Sequence, residues 1–201
     1  MPHTKKIDEV YKFWFRDIEI SSNYATRQSA LWFGHDPKVD EKIRSRFSIT
    51  MEKVARRDHE EWTTTEKGLI SCIVLLDQFT RNAFRGSSKM YQNDRRALEI
   101  AKEAVREGRD RTMNLFERVF LYLPFEHSEK LEDQQLSLIL FKGLVQDQDE
   151  FLKPIADGYL TYAQKHFDVI ETFGRFPHRN KLLGRPSSEK ELEYLKAGGG
   201  F

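Results

Sequence analysis

Cysteine is almost missing from this chain. The one thiol, Cys72, excludes an intrachain disulfide and any metal site built from several cysteines. Long apolar runs are missing too. The longest nearly apolar stretch, Leu69-Ile70-Ser71-Cys72-Ile73-Val74-Leu75-Leu76, is far shorter than the ~20 residues a helix needs to cross a bilayer. Met1-Pro2-His3-Thr4-Lys5-Lys6-Ile7-Asp8-Glu9 holds no apolar signal core, so the expected setting is the reducing cytoplasm. Neither sign of charge dominates. With 33 basic and 32 acidic residues, interleaved and unblocked, there is no electrostatic case for nucleic acid or a membrane surface as partner. Gly-rich nucleotide loops, nucleophile elbows and the His-Glu-x-x-His spacing of zinc helices are also absent. The sequence therefore calls for no cofactor and no metal.

Helical periodicity is what remains, almost throughout. No segment alternates with period two and β-branched enrichment. A chain of 201 residues, with 39% hydrophobic and 32% charged residues, suits one soluble domain with its own core. The reading is an all-α domain over 1–201, a compact array of antiparallel helices, with 195–201 as a frayed tail. Asp36-Pro37 opens a helix that buries Val39, Ile43, Phe47, Met51 and Val54. Thr63 and Glu66 have capping-box spacing ahead of the Leu69 run, which is apolar all round and therefore central. Asn93 is placed to cap another helix. Asn114 and Glu117 open one that is expected to stop near Pro124, and Ser188 and Glu191 open a short last one. A long helix ends at Gly174 and carries His166 on its apolar face, where a satisfied core histidine is expected.

Three polar segments sit among these apolar elements. The first is Gln78-Phe79-Thr80-Arg81-Asn82-Ala83-Phe84-Arg85, continuing Asp77. Spacing of four aligns Asp77, Arg81 and Arg85, and also Gln78 and Asn82. Either these groups satisfy one another, or Arg81 and Arg85 hold a phosphate or carboxylate. The second is Glu126-His127-Ser128-Glu129, with acid, base or capping capacity. The third is Arg175-Phe176-Pro177-His178-Arg179-Asn180, a turn whose cations suit an anion or the preceding helix end.

With those residues in view, the chain resembles a bacterial family known as domain of unknown function 924. The resemblance runs through Phe13-Trp14-Phe15, Leu31-Trp32-Phe33-Gly34-His35-Asp36, Leu75-Leu76-Asp77-Gln78-Phe79-Thr80-Arg81-Asn82, Phe120 to Glu129, Phe173 to Asn180 and Gly184-Arg185. It implies an all-α, tetratricopeptide-like fold and no activity. The chain departs from the pattern at Thr80, where proline is expected, and at Arg16, where glycine is expected.

The leading expectation is a pocket where the first and third segments converge. Arg81 and Arg179 would anchor a small anion, Asn82 and Asn180 would orient it, and Glu126 and His127 would sit on the same wall, with Gln78, Arg85 and Arg175 as further ligand-binding residues. His178 with Glu126 would form the acid/base pair if hydrolysis or group transfer takes place. The rival is a non-enzymatic module that clamps a peptide carboxylate.

Overall fold

The computed structural model describes residues 2–200, and among these there is no strand. Helix α1 (Pro2–Phe15) ends in the aromatic trio read from the sequence. Arg16 then takes φ +53°, a left-handed conformation that glycine adopts without strain. The departure from glycine thus falls where glycine's freedom is wanted. Residues 16–21 form the loop, and Ser21 caps α2 (Ser22–Phe33) by accepting from the Tyr24 N–H. Trp14, Phe15 and Trp32 all pack on Phe120, with ring centroids 5.5, 5.5 and 5.1 Å away. These rings tie the first two helices to α7 (Leu115–Glu126).

Asp36 caps α3 (Pro37–Ala55) through the Lys38 N–H, and α3 buries the Ile43, Phe47, Met51 and Val54 face. The helix beginning at Glu66 is central. Its first part is α4 (Glu66–Ile73), its middle a π-helical stretch (Val74–Phe79), and its end α5 (Thr80–Ala83). From 68 to 83 every residue but Arg81 is buried. Thr80 keeps the helix going where a proline would have removed an N–H. Its hydroxyl donates to Leu75 O at 3.1 Å and accepts from Asn93 Nδ2 at 2.9 Å. The wider turn could not be read from periodicity, because apolar residues all round carry no phase.

Local signals at three ends differ from expectation. Thr65, not Thr63, caps α4, accepting from the Gly68 N–H, while Thr63 bonds Glu60 O inside a 3-10 turn. Asn93 makes no cap for α6 (Asp94–Arg106), because its side chain is spent on Thr80. Helix α7 runs through Pro124 to Glu126. A proline in the last turn forfeits one bond, and the surrounding burial outweighs that loss. The capping boxes at Asn114/Glu117 and Ser188/Glu191 are both formed.

Helices α7, α8 (Leu131–Gln146) and α9 (Lys153–Phe173) pack consecutively. Gly174, at φ +67°, stops α9 and turns the chain into the Pro177–Arg179 turn. A second small apolar cluster of Val169, Ile170 and Phe176 lies there, with Phe173 and Tyr194 against it. Tyr194 belongs to α10 (Glu189–Lys196), which takes Leu195 and Lys196 out of the tail that had been expected to fray. Phe201, the last residue of that tail, lies outside the described residues.

Candidate functional site

The central helix carries Asp77 into the core with no exposed surface. A buried carboxylate needs partners, and Asp77 has three. His127 Nδ1 lies 2.7 Å from Oδ1, Gln78 Nε2 donates to Oδ2 at 2.5 Å, and Arg81 approaches within 3.2 Å. Burial works against the Asp77 charge, but Arg81 and His127 outweigh it and hold the carboxyl well below its ordinary range. Arg81 is itself saturated. Its fork grips Asp94 at 2.7 and 3.0 Å and donates to Asp77 O at 3.0 Å. Burial opposes its charge too, and Asp77 and Asp94 more than compensate, so its pKa rises.

Arg179 is different. It is 6% exposed, and its guanidinium lies 4.3 Å from the Phe176 ring centroid and 4.8 Å from that of Tyr91. Its charge partner is Asp94, at 3.7 Å, whose oxygens already serve Arg81. Its buried Nε has no hydrogen-bond partner among the described residues. Burial first, and then repulsion from Arg81, lowers the Arg179 pKa to about 10. The first and third segments therefore do converge, and they meet on Asp94 and on Tyr91, which also lies 5.8 Å from the Arg81 guanidinium.

Two more histidines and a glutamate border this cluster. Glu126 is 4% exposed, and burial first, then the Asp77 carboxylate, pushes its pKa up to about 8. His166 Nδ1 sits 3.1 Å from Glu126 Oε1 and 2.9 Å from Tyr162 O. Burial and then His127 push the His166 pKa down to about 3. At neutral pH both groups are uncharged, so this contact is not an ion pair. His166 is a core histidine, as read, but one facing the site. The ring of His127 stands 6.2 Å from that of His166. Half-buried His178 packs on Phe176, and burial followed by Arg179 lowers its pKa to about 4. Glu126 takes His166 as its partner, not the His178 expected from the sequence.

Several sequence candidates serve other ends. Asn82 and Arg85 both bond Asp40, at 2.8 Å each, away from Arg179. Arg175 grips Glu191 at 2.6 and 2.8 Å, and Asn180 bonds Ser187 and Glu191, which fixes α10. Asn180 Oδ1 also accepts from Arg185, whose fork holds Glu129 at 2.6 and 2.9 Å. Gln78 positions Asp77. The residues the sequence reading overlooked are Tyr91 and Asp94. Asp94 follows Asn93 at a helix start, where an acid is ordinary, so no local signal marked it. Two surface depressions, of about 410 and 390 Å³, lie elsewhere. One is between α8 and α9 at Lys142 and Asp157, the other beside Arg175 and Lys190. Among the described residues no helix is long and apolar enough to cross a membrane.

Residues 10–199 match a family described as bacterial protein of unknown function (DUF924). The structure of a protein of unknown function from Agrobacterium tumefaciens is similar over 97% of this chain and 99% of that one, at 33% identity and a TM-score of 0.81. No curated protein matches the chain.

Proposed function

Because the chain belongs to this bacterial family, whose description assigns no activity, we propose from the site itself that the protein binds a small phosphate or carboxylate compound at Arg179. The observation that carries the reading is the state of that guanidinium. It is buried and slotted between two rings, it shares the Asp94 carboxylate with Arg81, and its Nε is unpartnered among the described residues. A cation so placed is costly unless an anion completes it. An oxyanion on the guanidinium edge would supply the missing charge and acceptor, with His178 alongside. If the bound compound reacts, Glu126 can give a proton at neutral pH. His127, with Nδ1 donating to Asp77, keeps Nε2 as an acceptor.

The test is a thermal-shift screen of inorganic phosphate, phosphorylated metabolites, small carboxylates and short peptides. A ligand at 100 times its dissociation constant adds about 2.7 kcal/mol to stability. The shift is expected to vanish in Arg179→Met and to survive in Arg175→Ala, whose partner is Glu191. A hit that persists undiminished in Arg179→Met would remove Arg179 from the site and the reading with it.

A further inference from the structure

The tail beyond α10 runs back to the residue beside Arg179. Tyr194 packs on Phe173, with ring centroids 5.1 Å apart. From there the chain doubles back: the Gly198 N–H donates to Leu195 O at 3.1 Å and the Gly199 N–H to Tyr194 O at 2.9 Å. Gly199 lies so flat on Tyr194 that a Cβ there would fall within 2.5 Å of three ring atoms. Gly200 comes next, at φ +127°, and a Cβ on it would stand 3.2 Å from His178 Cβ. This track needs glycine twice over, once for space and once for backbone freedom. The triple glycine is therefore a fitted segment laid from the small apolar cluster onto the residue next to Arg179.

We propose that Gly198–Gly200 is a strap over the anion site, which closes it in the resting protein and must lift for a ligand to enter. The inference rests on the Arg179 reading for what the strap guards, though not for the strap itself. Two features make it suited to opening. Three successive glycines lose more conformational freedom on ordering than any other residues, so the closed state is held weakly. Its described backbone bonds are two, both to α10 and none to the site it covers. Opening therefore leaves the polar network of Asp77, Arg81 and Asp94 intact. A strap closed nine times in ten would weaken apparent ligand affinity about tenfold.

The experiment uses the full chain, a form lacking residues 198–201, and Gly200→Val, which cannot keep the φ of Gly200. The second variant serves if the shortened chain folds poorly. Diethyl pyrocarbonate is applied at pH 7, where His178 is neutral and reactive, and each histidine is followed by mass spectrometry. His178 is expected to react about tenfold faster in both variants than in the full chain, while buried His166 stays protected and reports an intact core. Inorganic phosphate binding is measured in parallel and is expected to tighten by a similar factor. Equal His178 rates in all three proteins overturn the strap. Faster His178 with no phosphate or carboxylate binding to any of them upholds the strap and overturns the anion reading.

Discussion

Replacing Glu126 by glutamine should make the protein more stable as pH rises. The folded state pushes this carboxyl from an ordinary 4.5 to about 8, first through burial and then through Asp77. Below pH 4.5 the group is protonated in both folded and unfolded chains and costs nothing. Above that, the unfolded chain releases the proton while the folded one retains it, so stability is lost steadily until about pH 8. Each pH unit in this window costs about 1.4 kcal/mol, so at pH 7 the native protein has lost about 3 kcal/mol relative to pH 4.5. Glutamine resembles the neutral acid in shape and cannot ionise. Any fixed difference in hydrogen bonding to His166 offsets the two proteins equally at all pH values. The readout is therefore the change in their difference. Urea unfolding at pH 4.5, 5.5, 6.5 and 7.5 should show the variant's midpoint advancing on the native one by about 1 M across the series, with an m-value near 3 kcal/mol/M for a chain this long. All other titrating groups are common to both and cancel. A difference flat with pH would mean that Glu126 ionises as if solvated, and would refute the burial-driven rise of its pKa.

The two site arginines should separate in stability measurements. Arg81→Met leaves the buried Asp77 carboxylate without its guanidinium and half-buried Asp94 without its closest cation, and should cost about 3–5 kcal/mol in chemical unfolding. Arg179→Met removes an under-compensated charge and should change stability by about 1 kcal/mol or less, so similar losses in both would refute the contrast. Arg16→Gly should add about 1 kcal/mol, seen as a higher melting temperature, by relieving the left-handed backbone at φ +53°. Phe120→Ala, beneath Trp14, Phe15 and Trp32, should cost about 3–5 kcal/mol in urea unfolding.

The fold was largely legible because helix ends write themselves into sequence. Asp36-Pro37, Asn114/Glu117, Ser188/Glu191 and Gly174 each sat where a terminus lies, since capping is local chemistry. Thr63 misled because two threonines follow it and only the turn geometry selects Thr65. The site was legible by half. That polar groups on the central helix and after α9 belong together follows from their cost of burial. Who pairs with whom does not, because Asp94, Tyr91 and Asp40 come from elements whose sequence looks like ordinary surface. Glu126 found His166 rather than His178 for the same reason: rotation about α7 and α9 decides it, and helical spacing along one chain says nothing of the phase between two.

That phase has a further consequence at Val74–Phe79. An α-helix turns about 100° per residue, and a π turn takes up one residue more than an α turn does. The wide turn thus acts as a one-residue shim in the middle of the molecule. Removing one residue from 74–79 would let the stretch relax to α-helical winding and leave Arg81, Asn82 and Arg85 on nearly the same bearing about the axis. Straightening it at unchanged length would instead swing them by about 100°, so that Arg81 would face away from Asp94 and Asp40 would lose Asn82 and Arg85, while every apolar residue upstream stayed in place. Chain length here is as much a specification as chemistry. A relative one residue shorter in this stretch, wound as a plain α-helix, would hold the same downstream side chains on the same bearings.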